Sequence, residues 1–138
     1  MEIQQFSRQK LRPKDLPPAV IVKWNAATLE EGFVPLPKKL LRCMPQLFPG
    51  EDAIERLALV MAIADYRRPN LTRGPSRNFL AFLSGLSAQR VAELLEALKV
   101  DGLISYRLKG GDELEIDISG LMLRVVKLTA EGSAESPF

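Results

Sequence analysis

The sequence contains no histidine and a single cysteine, Cys43. Without an imidazole there is no Ser-His-Asp triad, no Cys-His pair and no histidine ligand for zinc. One cysteine cannot close a disulfide within the chain, and alone it cannot build a structural zinc site. Catalysis would have to rest on carboxylates, lysine or tyrosine, so the composition points to a binding protein rather than an enzyme. No GxxxxGK[ST] phosphate loop is present, and no motif calls for a cofactor, a metal or a small-molecule ligand. No apolar run approaches the roughly 20 residues that span a bilayer, so a membrane is not an expected partner. The opening MEIQQFSRQKLRPKDLPP has no signal-peptide core, and with one unpaired cysteine the expected setting is the cytoplasm.

What is present fits an ordinary globular domain. The 138 residues are 46% hydrophobic and 26% charged, with a net charge of +2. That small net charge conceals a gradient. Residues 1–49 hold eight basic and four acidic side chains, whereas residues 87–138 hold six basic and nine acidic ones. A polyanion would therefore meet the first two thirds of the chain. Residues 1–31 read as a basic N-terminal arm: Arg8, Lys10, Arg12 and Lys14 alternate with other residues, Pro13 among them, ahead of Pro17 and Pro18. The arm is either a solvated tail or a phosphate-contacting one. Its Val20–Trp24 stretch is β-branched and aromatic, as in a short strand.

The middle of the chain, residues 32–118, reads as helices followed by a hairpin. A short helix or turn over Lys38–Met44 is expected to end at Pro45. The longest helix is expected over Glu51–Tyr66. Its stripe is Ile54, Leu57, Ala58, Met61, Ala62 and Asp65, widened by Leu59, Val60 and Ile63 to more than half the circumference, as in a central helix. Ser76 can cap a helix over Arg77–Leu83 with Phe79, Leu80, Phe82 and Leu83 inward, and Gly85 breaks it. Ser87 can cap a further helix, Ala88–Val100, whose Val91, Leu94, Leu95 and Leu98 share one face. Asp101-Gly102 ends it. Leu103–Leu108 and Glu113–Ile118 then read as two strands. A three-residue loop, with Tyr106 opposite Leu114 and Ile104 opposite Ile116, gathers Ile104, Tyr106, Leu108, Leu114 and Ile116 on one face. Gly111 takes the left-handed position of that loop. Residues 119–138 read as a C-terminal apolar segment, Leu121–Leu128, and a flexible tail from Thr129.

The fold class that emerges is mainly α with a small β-hairpin. The stretch NFLAFLSGLSAQRVAELLEALKVDGLISY resembles a winged helix-turn-helix: Gly85-Leu86-Ser87 in the turn, Val91 four residues after the cap, and Asp101-Gly102-Leu103-Ile104 leading into the wing. The bulky Phe79, Leu80 and Phe82 depart from the small residues usual in that family's second helix. The upstream GFVPLPKKLL, Gly32–Leu41, resembles the lead-in of DnaD-like and phage or plasmid replication-initiation proteins. The resemblance implies a DNA-binding protein of transcription regulation or replication initiation, with double-stranded DNA as its partner.

By that resemblance the third helix of the motif enters the major groove, and residues near its N-terminus meet the bases. Ser87, Gln89 and Arg90 are the base-contact candidates, Arg90 suiting guanine and Gln89 adenine. The plain alternative is a helix face kept in water by Gln89, Arg90, Glu93 and Glu96. Arg67, Arg68, Arg73 and Arg77 fall within eleven residues that contain no acid, so they are phosphate-contact candidates. Lys109 at the wing tip is another. The competing reading is a protein-interaction or dimerisation module. Val20–Trp24 and Leu121–Leu128 would then pair as extra strands, within the chain or with their copies in a homodimer.

Overall fold

Residues 25–66 and 73–132 are described by a computed structural model of the chain. Residues 1–24 of the N-terminal arm, with the expected Val20–Trp24 strand, Arg67, Arg68 and the last six residues lie outside that range. The chain divides into two units, Met1–Pro35 and Leu36–Phe138. In the first, the described residues form consecutive turns. Asn25 opens them in the left-handed region, φ 64°, and its side-chain oxygen accepts from the Thr28 N–H at 2.9 Å. That is the local bonding that makes asparagine tolerable there.

The second unit is mainly helical, with one small antiparallel sheet. Its elements are α1 (Lys38–Leu47), α2 (Ala53–Tyr66), α3 (Arg77–Ser84), α4 (Ala88–Val100), β1 (Ser105–Leu108), β2 (Leu114–Asp117) and α5 (Ser119–Gly132). Helix α1 does not stop at Pro45. It runs two residues further, and the Phe48 N–H closes the end on the Met44 carbonyl at 2.8 Å. Pro45 lacks only the N–H that would have met the Leu41 carbonyl. Leu40, Cys43 and Leu47 form a buried stripe at spacings of three and four, and burial of Leu47 and Phe48 holds the last turn in place.

Helix α2 is central, but it buries a different face from the expected stripe. Leu59, Val60, Ala62 and Ile63 are buried, whereas Ile54 is 79% exposed. Apolar residues spread over so wide a surface leave the periodicity without a single answer. Packing against α3 and α4 chooses the face. In α3 only Leu80 is fully buried, and Phe82, expected inside, is 47% exposed. Phe79 lies between Tyr66, edge-on at 5.4 Å, and Phe82 at 6.2 Å. Helix α4 buries Val91, Leu94, Leu95 and Leu98, the face its spacing indicated.

Both serine caps form. The Ser76 hydroxyl accepts from Phe79 N–H and the Ser87 hydroxyl from Arg90 N–H, each at 3.0 Å. Such a cap contributes about 1 kcal/mol. Gly85 and Gly102 sit at φ 79° and 77°, where a side chain would be strained.

The hairpin pairs Tyr106 with Ile116 and Leu108 with Leu114. That is two residues away from the expected register. The loop is Lys109–Glu113, closed by Lys109 N–H on the Glu113 carbonyl at 2.8 Å, with Gly110 as well as Gly111 at positive φ. A slip of two leaves every side chain on its face, so the apolar face survives the correction. Leu114 is fully buried, and the outer face carries the Arg107–Glu115 ion pair. Residues before α3 extend the sheet edge: Leu114 N–H donates to the Pro75 carbonyl at 2.8 Å.

The Leu121–Leu128 segment is a helix, not a strand. As a helix it offers no strand edge, which corrects the expectation that it pairs as an extra strand. Leu121 and Val125 are buried, Leu128 is half-buried, and their spacing of four and three turns them toward α1. Asp117 starts α5 by accepting from the Ser119 N–H at 3.0 Å and hydroxyl at 2.8 Å. The tail expected from Thr129 is helical as far as Gly132. Gly120 permits a close crossing, since a Cβ there would lie 2.4 Å from the Gly102 carbonyl oxygen.

Candidate nucleic-acid interface

The described residues singled out for DNA contact lie on three pieces of the second unit: Arg73 and Arg77 just before and at the start of α3, Ser87, Gln89 and Arg90 at the start of α4, and Lys109 at the hairpin tip. The α3–α4 connection is short and tightly bonded. Gly85 N–H bonds the Ala81 carbonyl at 2.9 Å, and the Ser84 hydroxyl accepts from Leu86 N–H at 3.2 Å. This fixes the start of α4 relative to α3 and leaves Ser87 and Gln89 exposed.

Each of the three base-contact candidates already has an intramolecular bond. Ser87 caps α4. Gln89 donates weakly to Glu93, at 3.4 Å. Arg90 is the most engaged. Its Nε is 3.2 Å from both Glu55 carboxylate oxygens, and its two terminal nitrogens donate to Glu55 at 2.8 Å and Glu93 at 3.0 Å. The hydrogen bond from Arg90 holds the Glu55 carboxyl below the usual carboxylate range. The hydrogen bonds to Glu55 and then Glu93 push the guanidinium further up. Asp52 stands 3.9 Å from Arg90. The same Asp52 pairs with Arg56 at 3.0 Å, and Arg56 reaches Asp101, at the end of α4, at 2.7 Å. Helix α2 therefore holds α4 at both ends through charge pairs.

Among the phosphate-contact candidates, Arg73 is the most available. Its side chain is 83% exposed, with Nε 4.0 Å from Glu113. Its carbonyl accepts from the Tyr66 phenol at 2.8 Å, which ties the end of α2 to the segment before α3. Burial, then the nearby Glu113 carboxylate, push the Tyr66 phenol up. The other Glu113 oxygen accepts from Gly74 N–H at 2.9 Å. Arg73 and Gly74 thus stand beside Glu113 at the base of the hairpin, a proximity across some forty positions that the sequence does not display. Arg77 is half-buried, and its Nε is shielded from solvent with no hydrogen-bond acceptor among the described residues. Nearby, Tyr106 donates to Glu96 at 2.8 Å and lies under the Lys99 ammonium at 5.3 Å; burial, then the hydrogen bond to Glu96, push its phenol up. Lys109 is exposed at the hairpin tip.

Sequence reasoning missed Glu55 and Glu113 as partners of this surface. Glu55 meets Arg90 across 35 positions and Glu113 meets Gly74 across 39, so no local spacing signals either. Glu93 was legible, since it lies three residues from Arg90 and four from Gln89. Among the described residues no group of three or more His, Cys, Asp and Glu could hold a metal ion, and no helix is long and apolar enough to cross a membrane.

No protein-family model matches the chain, and no curated protein matches it. A solved structure does match. It is the crystal structure of the N-terminal domain of the DnaD protein from Geobacillus kaustophilus HTA426, with a TM-score of 0.57. The alignment covers 87% of this chain and 96% of that one, at 21% identity. In fold, this chain is similar to the DnaD N-terminal domain. The likeness agrees with the DnaD-like character of Gly32–Leu41, and with so few residues in common it is a likeness of fold.

Proposed function

We propose that the protein is a cytoplasmic winged-helix DNA-binding protein that acts in replication initiation or transcription regulation. In this reading α3, the Gly85 turn and α4 are the helix-turn-helix, and the β1–β2 hairpin is the wing. The likeness in fold to the DnaD domain favours replication over transcription. The observation that carries DNA binding is the exposed Arg73 beside the wing, with Arg77 opening α3 and Lys109 at the wing tip. Cations on three segments of one domain suit a duplex backbone better than any single-site ligand. Arg67 and Arg68 belong to the same acid-free run and join this set as proposed phosphate contacts. Ser87, Gln89 and Arg90 remain the proposed base contacts, with Arg90 having to leave its carboxylates first.

The test is anisotropy against a labelled random duplex at low and moderate salt. Replacing Arg68→Ala and Arg73→Ala together should weaken binding to all sequences alike. It should also flatten the slope of log affinity against log salt by about 0.9 for each phosphate that the variant no longer neutralises. Weaker binding with an unchanged salt slope would refute the phosphate assignment. No binding by the unaltered protein at low salt would refute the DNA reading itself.

A second reading has its own support. The outward side of α5 exposes Met122, Leu123 and Val126, an apolar strip on a helix already docked by its other side. Self-association through this strip would make the chain a dimerisation module.

A further inference from the structure

We propose that Glu55 and Glu93 are an autoinhibitory clamp, two carboxylates that occupy the donors of Arg90 and Gln89 until a nucleic acid displaces them. The inference rests on the DNA-binding reading above and adds a regulated step to it. Two features of these contacts support it. The first is coverage: both donor side chains near the start of α4 end on the same Glu93, and Arg90 is further held by Glu55 from another helix. The second is geometry. Glu55 takes Arg90 through three N–O approaches of 2.8 to 3.2 Å, the forked arrangement by which a guanidinium grips a phosphate or a guanine edge. The carboxylate pair stands where a nucleic-acid acceptor would have to be.

The clamp is solvent-accessible, so it can exchange. The Arg90, Glu55 and Glu93 side chains are about one third to one half exposed. It is also anchored. Asp52 and Arg56 link the Glu55 end of α2 to Asp101 at the far end of α4, so the acids cannot drift away while the fold is intact. Engagement of a duplex by α4 therefore requires Arg90 to swap partners, not the helices to separate. An unfavourable backbone, or a sequence offering no good acceptor, leaves Arg90 on Glu55. The clamp thus suppresses weak, indiscriminate binding through this helix.

A double-mutant cycle on the full chain tests this, again by anisotropy with a labelled random duplex over a range of salt. The variants are Glu55→Gln, Glu93→Gln, Arg90→Ala and the two glutamate changes combined with Arg90→Ala. Glu55→Gln and Glu93→Gln should each tighten binding about threefold, the size of one surface ion pair that Arg90 no longer has to give up before it meets the duplex. In the Arg90→Ala background both gains should largely vanish. Equal gains with and without Arg90 would overturn the clamp, since the acids would then act only through net charge. Wild-type binding that neither glutamine variant strengthens would overturn it as well, with DNA binding intact. Absence of binding in every variant would instead remove the DNA reading and the clamp with it. Melting curves show whether a variant folds, and either glutamate change alone suffices for the comparison.

Discussion

At the scale of the residue, the chemistry of this surface is set by partners distant in sequence. Arg90 looks like a free base reader in a sequence that shows AQRVAE and nothing of Glu55. Folding supplies a carboxylate from α2 and changes what the guanidinium can do at rest. The pair also leaves a mark on pH dependence. Arg90 holds the Glu55 carboxyl below its ordinary value of 4.5 in the folded protein. Between the two values the unfolded chain binds the proton and the folded one does not. The stability Glu55 contributes is therefore complete above about pH 5 and is lost as pH falls through the folded value. Melting curves across the acid range should show the wild type losing more stability below pH 4.5 than Glu55→Gln does. Equal losses would mean that the Glu55–Arg90 pair adds nothing to the fold. Glu93 was visible at helical spacing from Gln89 and Arg90; Glu55 was not, because helical spacing reports only neighbours on the same helix.

At the scale of the element, most boundaries were written locally. Ser76, Ser87, Gly85 and Gly102 start and stop α3 and α4 as their cap chemistry requires, and the α4 core face follows from spacing alone. Sequence and structure part where local signals are degenerate. The hairpin register could slip by two with no change of face, so alternation could not choose between the two loops. The longer loop is closed by its own backbone bonds, and outside the hairpin the edge of β2 is bonded to Pro75 and Glu113 to Gly74. Gly74 is the residue on which this join depends. A Cβ there would lie 1.8 Å from the Leu114 carbonyl oxygen, an overlap that only backbone movement relieves. Gly74→Ala should therefore cost about 2 kcal/mol or more by breaking the bonds of the join. The melting temperature should fall by about 5–10 °C. Gly110→Ala, with open space around its Cβ, should cost only the strain of a left-handed residue, about 1 kcal/mol. Thermal unfolding of the two variants checks the order. A Gly74→Ala protein as stable as the wild type would mean the join is not needed.

At the scale of the whole molecule, the unexpected element is α5. Its central stretch, LMLRVVKL, is apolar on more than one side, which left an extra strand among the options. Helix α1 offers the buried stripe that α5 fits, and the Gly120 crossing over Gly102 lets it approach. The remaining apolar strip then faces outward, with Leu123 72% exposed. If that strip associates, light scattering of the wild type at high concentration should give twice the chain mass, and Leu123→Glu should restore the monomer mass. A wild type that stays monomeric under those conditions would end the dimer reading. By itself the sequence determined the two capped helices and the glycine turn between them, the hairpin and its sidedness, and the acid-free arginine run. These are short-range matters, governed by backbone bonding and by periods of two and 3.6. Only the tertiary structure decided which face of α2 is buried, that the last segment is a helix, and that Arg90 meets Glu55. Each of these is a choice among options that are equivalent along the chain, and only a neighbour brought close by folding separates them.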